Sequence, residues 1–173
     1  VRAAATTKGP FYIRLGRPKT PAVCTEGYRF KLGKAVTLRP GKDATVVANG
    51  IMVAKALEAA SRLERQAIDC RVINMPTLKP LDEQAIIQAA SQTGAIVVAE
   101  EHLLHGGLGS RVAQIVVKEN PVPMDFVGIR DTYAKSGKPN ELLQKHGLTA
   151  EAIEQAVLAL TAKRARKRQA YAA

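Results

Sequence analysis

The densest set of groups that could do chemistry is Glu100-Glu-His-Leu-Leu-His-Gly-Gly-Leu-Gly-Ser-Arg, between the apolar run Ala95 to Ala99 and a helical pattern over Ser110 to Glu119. The end of a strand leading into a helix is where α/β sheets bind their ligands. A metal centre there would use His102, His105 and one of the two glutamates. However, HxxH in a loop does not set two imidazoles on one helix face as HExxH does. A dinucleotide site would use Gly107 and Gly109, but Val112 stands where a third glycine would let the helix approach closely. The plainer reading is a tight glycine turn opening a helix, with ordinary loop histidines. On that reading Glu101, His102, His105 and Gly107 form a candidate subunit contact.

A second candidate is Tyr12-Ile-Arg-Leu-Gly-Arg-Pro-Lys, where Arg14, Arg17 and Lys19 could take phosphate oxygens. Strand alternation puts Arg14 and Arg17 on opposite faces, so the two need not cooperate, and a solvated basic linker is the simpler alternative. No nucleophile stands out. GxSxG is missing, and Cys24 and Cys70 have no histidine beside them in sequence. Asp131 to Ser136 is polar without catalytic spacing.

The elements that must position these residues follow an α/β pattern, in which short β-branched runs alternate with helical ones. Ala44 to Ala48, Asp69 to Asn74, Ala95 to Ala99 and Met124 to Ile129 are expected strands, and Lys34 to Leu38 an edge strand. Helices are expected from Ile51, after Asp82 as N-cap, and over Ser110 to Glu119. Two more are expected, one opening at Pro139 and a last one capped by Thr149 behind Gly147. Glu100 to Gly109 reads as a loop. Gly9 to Leu15 reads as a strand with nothing after it but a proline-rich stretch, so residues 1–22 are expected to be the tail of a preceding domain. The main domain is then 23–162, with a solvated basic tail over 163–173.

Composition narrows the function classes. With 46% hydrophobic and 24% charged residues in 173, the chain can build one ordinary core, and no apolar run is long enough for a membrane span. Two cysteines without CxxC spacing, and a start unlike a secretion signal, point to a reducing, cytoplasmic setting. The net charge of +11 raises nucleic-acid binding, but ten of the 26 basic residues lie in 1–22 and 163–173, where no acid occurs. The remaining 16 face all 15 acidic residues, and with no Trp and 4% aromatics a specific nucleic-acid surface is not expected.

More specific wording runs through the chain: Phe30-Lys-Leu-Gly-Lys-Ala, Asn49-Gly-Ile-Met-Val-Ala, Arg71-Val-Ile-Asn-Met, Lys79-Pro-Leu-Asp, Glu100-Glu-His with Gly106-Gly-Leu-Gly-Ser, Asp131 with Ser136-Gly137, and Gly147-Leu148. In this order, from about residue 9 to residue 160, it resembles the C-terminal domain of transketolases, in particular the second subunit of split, two-subunit transketolases. The related 1-deoxy-D-xylulose-5-phosphate synthase usually has HG in place of Ser136-Gly137.

The resemblance implies a three-layer αβα fold on a five-stranded mixed sheet, four strands parallel and one antiparallel. It makes Gly9 to Leu15 the last strand of a pyrimidine-binding domain, and Arg17 the arginine that contacts the phosphate of the sugar substrate. It implies thiamine diphosphate and Mg2+ in the complete enzyme. This chain is not expected to bind them alone, since it has no GDG motif and lacks the region of the glutamate that acts on the aminopyrimidine. The implied partners are an upstream pyrimidine-binding domain or an N-terminal transketolase subunit, in a homodimer or heterotetramer. Two functions stay open: a part of that enzyme, inactive in isolation, or a regulatory or interaction module on the same fold.

Overall fold

The computed structural model describes residues 1–16 and 19–172, with side-chain surroundings through residue 166. Five strands form one sheet: β1 (Val36–Arg39), β2 (Ala44–Ala48), β3 (Cys70–Asn74), β4 (Ile96–Leu103) and β5 (Met124–Ile129). Their order is β1-β3-β2-β4-β5. β1 runs antiparallel to β3 and all other pairs are parallel, as the resemblance implied. The interior strand β2, Ala-Thr-Val-Val-Ala, is buried at every residue because helices cover both its faces.

One face carries α2 (Met52–Glu64) and α6 (Ala150–Ala172), packed through Met52, Ala56, Leu63, Ile153 and Val157 against Val46, Val72 and Val97. The other carries α3 (Glu83–Thr93) and α4 (Leu108–Glu119), packed through Ile86, Ala90, Leu108 and Val112 against Val47, Ile73 and Val98. The alternating side chains of the strands therefore feed two separate apolar layers. Short helices α1 (Arg2–Thr6) and α5 (Pro139–Lys145) complete the chain, α1 resting on the helix propensity of Ala3 to Ala5.

The expected caps are made. Asp82 accepts from the backbone N–H of Ala85 at 3.3 Å, Thr149 Oγ1 accepts from Ala152 N at 3.1 Å, and Gly147 takes the left-handed conformation at φ +68°. Arg62 of α2 bridges to Glu58 and to Glu151 and Glu154 of α6, tying the two helices on their solvent side.

Two expectations are corrected. Gly9 to Leu15 is not a strand: the segment is irregular and Tyr12 is 88% exposed, because no neighbouring strand offers it a ladder. The strand expected to end at Ala99 runs on to Leu103, and α4 starts at Leu108. The basic stretch continues α6 to Ala172, with Lys163 and Arg166 exposed.

Arg164 turns back from α6 and donates to the carbonyls of Asp43, at 3.0 Å, and of Thr93. Thr93 ends α3, where carbonyls lack intrahelical donors and a cation is favourable. Arg164→Ala is expected to cost about 1.5 kcal/mol, the lower end for loss of a charged donor, because both bonds are only part-buried. Urea unfolding checks it, with the midpoint falling at unchanged slope.

Candidate functional site

The helix leaving β2 packs on one face of the sheet and the helix leaving β4 on the other. The carboxyl ends of these adjacent strands therefore flank the topological switch point, where a doubly wound sheet opens a crevice. β2 stops at Ala48 and turns through Asn49 and Gly50, the latter at φ +55°, into α2. Its last bond to β4 is Asn49 N donating to Ala99 O at 3.4 Å. β4 continues past it.

On its other side β4 pairs Ala99 with Val127 and next Leu103 with Ile129, so Glu100, Glu101 and His102 stand opposite Gly128 alone. This is a bulge, which re-aims the side chains it carries. Gly128 permits it. A Cβ there would lie 3.0 Å from the carbonyl oxygen of His102 and 2.8 Å from Leu104 Cδ2.

The bulge turns Glu100 inward, where it is 6% exposed. Its Oε2 accepts from the backbone N–H of Leu108 at 2.6 Å and its Oε1 from Asn49 Nδ2 at 3.1 Å. One carboxylate thus caps α4 and bridges the ends of β2 and β4. The positive end of the helix and the charged hydrogen bond both stabilise it there. Gly107 makes room for it, since a Cβ at that position would sit 2.3 Å from Glu100 Oε2 and 2.9 Å from His102 Nδ1. Ser110 Oγ accepts from Gly106 N at 3.0 Å, closing the turn.

In Gly106-Gly-Leu-Gly-Ser the first free amide of α4 is thus held by the chain's own carboxylate. The other glycine, Gly109, lies under the Phe126 ring, whose Cδ1 stands 2.8 Å from where its Cβ would be.

Glu101 also lies on the bulge, and its carbonyl oxygen and Oε2 accept from Arg14 Nη2 at 2.6 and 3.5 Å. His102 is on β4 with Nδ1 2.9 Å from Leu103 O, while His105 is exposed in the turn. Among the described residues no group of three or more His, Cys, Asp or Glu could hold a metal ion. Arg17 lies outside the described residues. Cys70 is buried in β3 and its thiol is pushed up to about 12, chiefly by burial, which makes it a poor nucleophile. Among the described residues no helix is long and apolar enough to cross a membrane.

Known proteins share this architecture. A family model described as "Transketolase, C-terminal domain" matches residues 33–153. The chain belongs to the transketolase C-terminal domain family. It is 45% identical over 153 residues to a 6-deoxy-6-sulfo-D-fructose transketolase subunit of Clostridium sp. (strain MSTE9), covering 88% of this chain and 48% of that protein. It is 41% identical over 145 residues to an apulose-4-phosphate transketolase subunit of Phocaeicola vulgatus, covering 83% and 46%. A solved split-gene transketolase, described as an inactive β4 tetramer, superposes at a TM-score of 0.90 with 46% identity, over 93% of this chain and 53% of that one. The chain thus spans about half the length of these relatives.

Within the transketolase C-terminal domain, three residues of the switch point escaped the sequence reading. These are Glu100 as an internal cap, Asn49 as its second donor, and Gly128 as the residue that permits the bulge. Gly128 had a signal, because an isolated glycine inside a strand pattern marks a bulge or a close backbone approach. Asn49 and Glu100 had none, since their pairing joins residues 51 positions apart.

Proposed function

We propose that the chain serves as the C-terminal domain of a split, thiamine diphosphate-dependent transketolase, which transfers a two-carbon ketol unit between phosphorylated sugars. The observation that carries this reading is the 45% identity to a split transketolase subunit together with the 0.90 TM-score to a split-gene transketolase. The domain packs subunits together and forms the rim of the substrate channel, with Arg17 contacting the substrate phosphate. An upstream pyrimidine-binding domain and an N-terminal transketolase subunit are its partners, in a dimeric or heterotetrameric, cytoplasmic enzyme of the pentose phosphate type.

The residues of this chain do not fit the cofactor. The α4 N-terminus that could face a diphosphate is taken by Glu100, and the described residues contain no cluster that could hold its magnesium ion. Thiamine diphosphate and Mg2+ accordingly belong to the partner domains, and no chemical step is assigned to side chains here. The alternative as the C-terminal domain of 1-deoxy-D-xylulose-5-phosphate synthase is not favoured by relatives that are transketolase subunits.

A transfer assay with hydroxypyruvate as donor and a phosphorylated aldose as acceptor tests the proposal. The full subunit bearing this domain is mixed with an N-terminal transketolase subunit, thiamine diphosphate and Mg2+. Ketose phosphate is expected only when both subunits are present. Equal turnover without the subunit carrying this domain contradicts the assignment.

A further inference from the structure

The switch-point crevice between the carboxyl ends of β2 and β4 is where a sheet of this topology binds a ligand, and here a half-exposed cation from the chain's own N-terminal segment sits at its mouth. We propose that this crevice is a docking site for the segment ending at residue 16, that Arg14 is its anchor, and that Arg14 thereby acts as a positioning residue for Arg17. The inference rests on the reading of Arg17 as a substrate-phosphate contact.

The crevice is built to receive a donor. Carbonyls along a parallel strand point alternately to its two neighbours. Ala99 O accepts from Asn49 N, on the β2 side. The carbonyl oxygens of Glu100 and His102 lie against Gly128, on the β5 side. Glu101 O therefore faces the β2 side again, where β2 has already ended at Ala48. It is an acceptor that lost its strand partner. Arg14 Nη2 supplies the missing donor at 2.6 Å and stands 3.5 Å from Glu101 Oε2.

Charge selects the occupant. The crevice holds the carboxylates of Glu100 and Glu101 and spends its helix N-terminus on the first. An anionic small molecule is repelled, while a guanidinium is complementary.

The anchor also stands by itself. Among the described residues, no other hydrogen bond joins residues 1–16 to the rest of the domain, and Ile13 and Leu15 on either side of Arg14 are 44% and 78% exposed. Three residues of chain reach at most about 10 Å, so an anchor at Arg14 restricts where residue 17 can be presented. Arg14 is therefore not an inert neighbour of Arg17.

The test is a double-mutant cycle in the complete two-subunit enzyme, with hydroxypyruvate as donor and D-ribose 5-phosphate as acceptor. Arg14→Ala is expected to raise KM for the phosphorylated acceptor roughly three- to tenfold, the scale of one modest hydrogen bond, with kcat and the KM for hydroxypyruvate unchanged. Arg14→Lys, which keeps a donor for the Glu101 carbonyl, should recover most of the loss. Glu101→Gln, which removes one of the two charges facing the guanidinium, should raise the same KM less than Arg14→Ala does, because the short bond goes to the main chain.

In the double variant Arg14→Ala/Arg17→Ala, KM should equal that of Arg17→Ala alone, since an anchor has nothing to position once Arg17 is gone. If the two effects multiply, or if Arg14→Ala weakens both substrates alike, Arg14 does not act through Arg17 and the inference fails while the phosphate reading stands. If Arg17→Ala itself shows no selectivity for the phosphorylated acceptor, the phosphate reading fails and takes the inference with it.

Discussion

Gly107→Ala is expected to lower the unfolding free energy by about 3 kcal/mol, the scale of stranding a buried charged group and the amide it satisfied. Gly107 has φ −85° and ψ −160°, which alanine adopts without strain, so the penalty is steric and electrostatic and not conformational. The new Cβ would meet Glu100 Oε2 at 2.3 Å and His102 Nδ1 at 2.9 Å. Glu100 cannot simply swing away. It is 6% exposed, and moving it frees both the Leu108 amide at the start of α4 and the Asn49 amide that bridges to β2. In a chain of 173 residues this corresponds to a Tm lower by roughly 6–12 °C. Gly16→Ala is the control, because nothing lies within 4 Å of its Cβ position. Scanning calorimetry of both variants decides the matter, and equal Tm values would show that Glu100 does not depend on the Gly107 space.

Arg17→Ala in the complete enzyme is expected to raise KM for phosphorylated sugars roughly tenfold to a hundredfold, the equivalent of about 1.5–3 kcal/mol for one charged hydrogen bond. Hydroxypyruvate carries no phosphate, so its KM should stay within about twofold, and cofactor affinity should be unaffected. A contact made equally in the bound and transition states raises KM at constant kcat. This separates Arg17 from a group acting on the reacting carbons. Steady-state kinetics with each substrate varied in turn provides the measurement. Equal loss for phosphorylated and unphosphorylated substrates would remove Arg17 from the phosphate site.

Much of the fold was legible because its signals are local. Ala44 to Ala48 and Ala95 to Ala99 are short apolar runs bounded by turns, and Asp82, Gly147 and Thr149 are caps whose partners lie within a few residues. The switch point was legible only in part. Glu100-Glu-His reads as loop because charged residues rarely continue a central strand, yet here one carboxylate is consumed by a helix start eight residues on. Gly9 to Leu15 has the alternation of a strand, but a strand also needs a partner edge, which local sequence does not report. Arg164 reads as one more charge in a basic run, and its partners Asp43 and Thr93 lie 121 and 71 residues away. Pairings at such separations are properties of the packed sheet and leave no periodic mark.

In the proposed function this domain assembles the enzyme and presents the substrate arginine, while the cofactor is held elsewhere. Titration calorimetry of thiamine diphosphate with Mg2+ into the chain is the most direct test. No saturable heat is expected from residues 1–173, whereas the complete two-subunit enzyme should bind the cofactor stoichiometrically. Saturable micromolar binding by this chain alone would contradict that division of roles.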